Sequence, residues 1–405
     1  MSAAPLRWLS IVGIGEDGID ALSPAARGLI AQAGLLAGGK RHLALAGPTR
    51  AQTLEWPAPI QDAFPQILAR RGTPVCVLAS GDPYCFGIGS LISARVPPEE
   101  ILCLPAPSAF SLAAARLGWA LQDCAQISLH GRALEAIVPQ LQSGRRVLAL
   151  SWDGGTPCRL AALLAARGMG SSRLHVLEAM GGRRERMRMA RADSFALADI
   201  DPLNLIALEV AAAPGARVIP LAAGLPDDWF EHDGQITRRD IRAMTLSALA
   251  PRRGELLWDI GAGSGSVSIE WMLRDPACCA IAIEKHAGRA ARILRNAVTL
   301  GVPGLRVETG EAQALLAGLP GPDAVFIGGG AGDGALVNAA LAALRPGGRL
   351  VINAVTLQTQ AALTALYTRH GGTLKQVQIA HADPVGRFHG WRAAMPVVQW
   401  AHEKS

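Results

Sequence analysis

Aromatic side chains make up only 4% of the 405 residues. That scarcity speaks against a surface built to stack nucleic-acid bases. Seven cysteines are scattered between positions 76 and 279 without a C-x-x-C spacing, and nine histidines show neither H-x-x-H nor H-x-x-x-H. Neither a disulfide framework nor a metal site is therefore expected, and the cysteines read as reduced thiols used as small apolar residues in a cytoplasm. No uninterrupted apolar run reaches the ~18 residues of a membrane span. The opening "MSAAPLRWLSIVGIG" runs straight into a strand-like stretch and lacks a cleavable-leader pattern. A cytoplasmic protein with no membrane partner is the expectation. Lysine is sparse as well: arginine carries nearly all the positive charge, the net charge is +6 and the pI ≈ 9.2. Such a balance fits an anionic partner, whether nucleic acid, anionic lipid or a polycarboxylate.

What the chain does have is alanine, leucine and glycine in an alternating pattern. A single core stops growing near roughly 250–300 residues, so two domains are expected. In the first half, "LSIVGIG", "PVCVLAS", "RRVLALS", "RLHVLEAM" and "LNLIALEV" read as strands. Helical stretches such as "SPAARGLIAQAGLLA" and "SAFSLAAARLGW" lie between them. Alternation stops in "AAAPGARVIPLAAGLPDDW", which Pro214, Pro220 and Pro226 break up. Residues 213–223 are read as a linker between one domain, 1–212, and another, 224–405. The second domain restarts with helix "TRRDIRAMTLSALA" and ends in the strands "LKQVQIAHA" and "WRAAMPVVQW". The two α/β halves do not look like copies of each other.

Two glycine loops carry the chemistry. In "LLWDIGAGSGSVSIE" a strand ends at Asp259, Gly261, Gly263 and Gly265 follow as GxGxG, and a helix begins. Glycine permits the sharp turn and lets a ligand lie against bare amides. A dinucleotide fold would want Gly or Ala at the sixth motif position, where Ser266 stands. Asp259 would repel a pyrophosphate and suits a positively charged, methionine-type ligand. Glu284 ends the next strand about twenty residues on, where a carboxylate accepts ribose hydroxyls. Glu311 and Ala312, after the third strand, can face an adenine edge. This ordered set resembles the class I S-adenosylmethionine-dependent methyltransferases, with a seven-stranded Rossmann-like sheet. The longer strings "GLPDDWFEHDGQITRRDIRAMTLSAL", "FIGGG" and "INAVTLQT" resemble the decarboxylating precorrin methyltransferases of cobalamin synthesis. In that resemblance Thr237 contacts the methyl donor.

Near the N-terminus, "GIGEDG" spells GxGxxG with Gly13, Gly15 and Gly18. A pyrophosphate there would lie beside Glu16 and Asp17, a repulsion of several kcal/mol at an intermediate dielectric, on the order expected for close like charges. No ribose-binding acid follows; Lys40, Arg41 and His42 stand in its place. The loop instead resembles that of the tetrapyrrole methylases, a different methyltransferase fold with two α/β subdomains. "ASGDPYCFGIGSLI", "PAPSAFSLAAARLGW" and "ISLHGR" follow in that family's order. The resemblance implies that Gly13, Gly81, Asp82, Pro83 and Ser108 help to hold a methyl donor.

Taken over the whole chain, the resemblance is to bifunctional decarboxylating precorrin methyltransferases. It implies two S-adenosylmethionine sites per chain and methylation of precorrin-6B at carbons 5 and 15. It also implies loss of the ring C acetate carboxyl as carbon dioxide, giving precorrin-8. Carbon 5 falls to the N-terminal half, carbon 15 and decarboxylation to the C-terminal half. The departing electron pair can enter the conjugated macrocycle, so no further cofactor is required. Arg238, Arg239, Arg387 and Arg392 are candidates for holding substrate carboxylates, and His389 for returning a proton. Arg183, Arg184, Arg186 and Arg188 form a basic run that is either a carboxylate site or a solvated face. A homo-oligomer is expected. Two other readings remain open: an RNA methyltransferase, which lacks here the aromatic base-stacking loop it would need, and a non-catalytic carrier of corrinoid intermediates.

Overall fold

The chain divides into two compact units in the computed structural model, which describes residues 7–330 and 332–405. The first six residues and Ala331 of the glycine run lie outside the described residues. One unit comprises residues up to Leu134 with Gln140–Val218; the other comprises Glu135–Pro139 with Ile219–Ser405. Among the described residues, no helix is long and apolar enough to cross a membrane.

Unit 1 contains two five-stranded sheets. The strands of the first are β1 (Leu9–Ile14), β2 (Leu35–Gly38), β3 (Gln52–Glu55), β4 (Val75–Ser80) and β5 (Ile101–Leu104), in the order β3-β2-β4-β1-β5. All pair in parallel. The strands of the second are β6 (Cys124–Ser128), β7 (Arg146–Leu150), β8 (Arg173–Glu178), β9 (Arg186–Arg191) and β10 (Asn204–Glu209). Their order is β6-β7-β10-β8-β9, with β10 antiparallel to both neighbours. The stretch expected as one helix, "SPAARGLIAQAGLLA", is a helix only to Gln32. Ser23 caps it, accepting from the Ala26 amide. Gly34 then bonds to the Pro74 carbonyl (2.9 Å), and Leu35–Ala37 pair with Val75–Val77. A strand buried on both faces has no alternation, so its apolar run reads like the helix before it.

Unit 2 forms the expected seven-stranded sheet. Its strands are β11 (Leu256–Ile260), β12 (Cys279–Glu284), β13 (Arg306–Thr309), β14 (Ala324–Ile327), β15 (Arg349–Ala354), β16 (Thr373–Val377) and, after a hairpin, β19 (Val397–Glu403). The order is β13-β12-β11-β14-β15-β19-β16. Strands β11 to β15 are parallel, and β19 runs antiparallel between β15 and β16. Strand order reverses at β11, which places a crevice at the carboxyl ends of β11 and β14. Trp258 and Trp400 are buried in the core of this sheet. The two terminal strands read from the sequence each divide. Their inner parts become the separate hairpin β17 (Ala380–Val385) and β18 (Phe388–Ala393). Phe388 and Trp391 on it are exposed, so the sheet core gives no pattern to mark where one strand stops.

Candidate functional site

In unit 2 a pocket of about 460 Å³ opens at the crevice predicted by the strand order. Gly261 and Gly263 form its floor, with φ of +72° and +60°. A Cβ on Gly263 would stand 3.0 Å from the Gln235 carbonyl oxygen. Gly265 serves packing instead. A Cβ there would meet Ile293 Cγ2 at 2.6 Å, so glycine lets two helices approach. Glu284, only 4% exposed, lines the pocket and shapes the loop. Its Oε2 accepts from the Gly263 amide (3.0 Å) and its Oε1 from the His286 amide (3.0 Å). Each oxygen keeps a lone pair for a hydroxyl of a ligand. Glu311 and Ala312 form another part of the wall, and Thr237 and Arg238 a third.

Asp259 is not on that wall. Its carboxylate is buried behind the loop, where Oδ2 accepts from the Ser268 amide (3.0 Å) and Ser268 Oγ (2.5 Å). Among the described residues, Oδ1 is buried without a hydrogen-bond partner. Desolvation pushes its pKa up to about 6, against the opposing pull of the Ser268 bonds. A half-satisfied carboxylate behind a glycine floor fits a cationic ligand better than an anionic one. A nucleoside sulfonium matches this donor set: carboxylate for ribose, bare glycine floor, negative charge behind.

The segment bearing Thr237 is fastened by an ion pair that is completely buried. Glu270 Oε2 and Oε1 accept from the amides of Gly224 (2.7 Å) and Leu225 (2.8 Å), and Oε1 also from Arg242 Nε (2.6 Å). Arg242 in turn donates to the carbonyls of Leu225 and Thr237 and to Asp227 Oδ1 (3.0 Å). Every polar atom of the pair is used, which is what allows two charges to be buried.

Unit 1 has a larger cleft of about 890 Å³, lined from both of its sheets. Loops after β1, β4 and β5 converge there. The Gly81 amide donates to the Ile14 carbonyl (3.2 Å) and the Ala106 amide to the Gly81 carbonyl (3.1 Å). Gly13 must be glycine, since a Cβ would lie 1.8 Å from the Gly81 oxygen. Gly81 and Ser108 line the cleft; Gly13, Asp82 and Pro83 shape its loops from behind. Asp82 Oδ1 accepts from the Tyr84 amide (2.9 Å), and the Gly89 amide donates to the Pro83 carbonyl (2.8 Å). Ser108 caps the helix Ala109–Leu117 through the Ser111 amide (3.1 Å). Glu16, beside which a pyrophosphate would have lain, pairs with Arg41.

The remaining candidates are dispersed. His389 and Arg387 sit on the exposed hairpin and are not among the residues lining the unit 2 pocket; Arg387 lies over the Phe388 ring, 5.0 Å from its centre. Arg392 pairs with Asp383 (2.8 Å). Arg186 and Arg188 both bind the buried carboxylate of Glu178, and Arg184 pairs with Asp201. Much of that basic run is thus neutralised within unit 1. Other features had no signal in the sequence. Phe86 and Trp152, 50% and 55% exposed, stand on the unit 1 cleft. Phe86 adopts φ +54°, a strained conformation for a bulky residue. Asn353 lines the unit 2 pocket, held by Thr245 Oγ1 (2.8 Å) and Gln399 Nε2 (3.0 Å). His42 and Ser80 line the unit 1 cleft.

Two family models match the chain: the Tetrapyrrole (Corrin/Porphyrin) Methylases over residues 9–196 and the Precorrin methyltransferase domain over residues 228–404. A Sinorhizobium sp protein named precorrin-6Y C(5,15)-methyltransferase [decarboxylating] is 55% identical over 398 residues, 98% of this chain and 96% of its own length. Two Salmonella typhimurium proteins match smaller parts. Cobalt-precorrin-7 C(5)-methyltransferase is 34% identical over 44% of this chain and 88% of its own. Cobalt-precorrin-6B C(15)-methyltransferase (decarboxylating) is 33% identical over 42% of this chain and 89% of its own.

Proposed function

We infer how the two pockets share the chemistry from the family to which this chain belongs, the decarboxylating precorrin-6Y C(5,15)-methyltransferases. The chain is an S-adenosylmethionine-dependent C-methyltransferase of cobalamin biosynthesis that methylates and decarboxylates a precorrin. Each pocket takes its own methyl donor, two per chain. Residues 1–212 methylate carbon 5, residues 224–405 methylate carbon 15 and decarboxylate the ring C acetate, and 213–223 link them. The observation that carries this is the presence of two unlike pockets at the carboxyl ends of parallel strands, the unit 2 pocket lined within the Precorrin methyltransferase match and the unit 1 cleft lined mostly within the Tetrapyrrole (Corrin/Porphyrin) Methylases match. The Salmonella typhimurium relatives, in which the two activities are named on separate proteins, support the division.

S-adenosylmethionine supplies an electrophilic methyl group on a sulfonium. In unit 2, Glu284 accepts the ribose hydroxyls, Gly261 and Gly263 admit the ligand to the floor, and the backbone of Glu311 and Ala312 faces the adenine. Thr237, held by Arg242, meets the methionine end, and the charge of Asp259 acts through the loop on the cationic ligand. In unit 1, Gly81 and Ser108 contact the donor, while Gly13, Asp82 and Pro83 hold the loops. Phe86 and Trp152 cover faces of the macrocycle. Arg238 and Arg387 hold carboxylate arms by charge-assisted hydrogen bonds, and His389 returns the proton that replaces carbon dioxide. Carbon methylation at an electron-rich meso position depends mainly on alignment of the two reactants. The chain works in the cytoplasm as a homo-oligomer, with no nucleic-acid or membrane partner.

Mass spectrometry of the product tests this division. The unmodified chain should add two methyl groups and remove one carbon dioxide. Gly263→Arg, which fills the unit 2 floor, should give product with no carbon dioxide loss and no methyl at carbon 15. Decarboxylation that persists in Gly263→Arg would refute the assignment.

A further inference from the structure

The unit 1 cleft holds a histidine that no step above employs. His42 follows Gly38 and Gly39, and its Nε2 lies 2.7 Å from Ser80 Oγ at the end of β4. Arg41 Nη2 touches both, 3.0 Å from His42 Nε2 and 2.8 Å from Ser80 Oγ. A guanidinium has only donors to offer, so Nε2 accepts and the ring proton sits on Nδ1, which is buried without a hydrogen-bond partner among the described residues. The single Nε2 lone pair faces both the Arg41 N–H (3.0 Å) and the closer Ser80 hydroxyl (2.7 Å), so the proton between His42 and Ser80 is that of the hydroxyl: Ser80 donates to His42. Ser80 Oγ accepts from Arg41 and keeps one lone pair, and Ser80 is exposed on the cleft. Burial, with a contribution from the charge of Arg41, lowers the His42 pKa to about 4, which leaves the ring neutral at neutral pH. Glu16 holds Arg41 in place and also lies 3.7 Å from Arg184.

The reading of unit 1 as a methylating cleft, on which this inference rests, calls for a proton acceptor. When the sulfonium–methyl bond breaks, sulfur keeps the electron pair as a neutral thioether. The new bond at carbon 5 uses an electron pair of the macrocycle, which holds the positive charge until a proton leaves. We propose that Ser80 Oγ accepts that proton while passing its own to His42 Nε2. The macrocycle becomes neutral, Ser80 ends as it began, and His42 becomes an imidazolium protonated on both nitrogens. Beside Arg41 that cation is short-lived, and its proton passes to water in the cleft, restoring the base. Ser80 touches substrate; His42 acts through it as a positioning and relay residue, and Arg41 sets the tautomer.

The test uses the full chain with S-adenosylmethionine and the precorrin substrate, each methyl located in the product. His42→Ala and Ser80→Ala should each slow carbon 5 methylation about 100-fold, within the usual range for a lost acid–base group. The KM for tetrapyrrole, donor binding in unit 1 and carbon 15 methylation should be unchanged. Added imidazole should restore part of the rate to His42→Ala but none to Ser80→Ala. Ser80 is exposed, so its variant probes the step without removing a core residue. Near-normal carbon 5 rates, a loss that tracks donor binding, or no imidazole rescue would overturn the proposal. Loss at carbon 15 with carbon 5 intact would instead overturn the assignment of carbon 5 to unit 1.

Discussion

Asp259→Asn should make the free protein more stable while making it a worse methyltransferase at carbon 15. The wild-type carboxylate is buried, with Oδ2 satisfied by Ser268 and Oδ1 by no group among the described residues. Its pKa rises from 3.8 to about 6 on folding, with desolvation the largest cause. The folded state therefore holds this proton more tightly than the unfolded chain. The contribution of Asp259 to stability is largest below about pH 4, falls as pH rises through the window from 3.8 to about 6, and levels off above it. A shift of that size corresponds to about 3 kcal/mol. An asparagine keeps an oxygen towards Ser268 and places an uncharged NH2 where Oδ1 stood, which removes the charge without leaving a cavity. At pH 7 the variant should gain up to about 3 kcal/mol, or roughly 6–12 °C in the unit 2 transition. Below pH 4 the two proteins should melt together. Thermal melts between pH 3.5 and 8, followed by tryptophan fluorescence, read this directly. Equal pH slopes, or an asparagine variant less stable at pH 7, would refute the reasoning.

Glu284→Gln keeps the shape of the side chain but turns one oxygen into a donor facing a backbone amide, Gly263 or His286. A ribose hydroxyl left without its carboxylate acceptor costs about 1–3 kcal/mol, so donor affinity in unit 2 should fall roughly 5- to 150-fold by calorimetry; unchanged affinity would remove Glu284 from the ribose site. Phe86→Gly relieves a left-handed backbone angle and deletes the exposed ring. Its melting temperature should hold or rise while the KM for tetrapyrrole at carbon 5 increases about 5- to 30-fold, from ~1–2 kcal/mol of lost aromatic contact; an unchanged KM leaves Phe86 without a substrate role. His389→Ala should slow decarboxylation more than methylation, measured as carbon dioxide release against methyl gain. Equal slowing, or none, excludes it as the proton donor.

The glycine loops were legible because their constraints are local. A floor at Gly261 and Gly263 and a crossing at Gly13 depend on backbone geometry that few residues permit. Glu284 was legible for the same reason, being the last residue of a parallel strand. Asp259 was placed at the right strand end, but which way its carboxylate turns depends on Ser268 in the following helix. The run from Arg183 to Arg188 showed its charge but not its partner: Glu178 is adjacent to Arg186 only through β8–β9 pairing. Strand β2 was hidden by an apolar run that continues the preceding helix, and β17–β18 by the absence of a buried face. His42, Ser80 and Arg41 meet only because β2 and β4 pair in parallel and deliver their following loops to one edge. Nothing in their spacing announces it.

Equilibrium dialysis of the full chain against labelled S-adenosylmethionine counts donors per polypeptide. Two should bind to the unmodified protein and one to Gly263→Arg, the survivor lying in the unit 1 cleft. A single donor per unmodified chain would contradict the existence of two independent methylation sites.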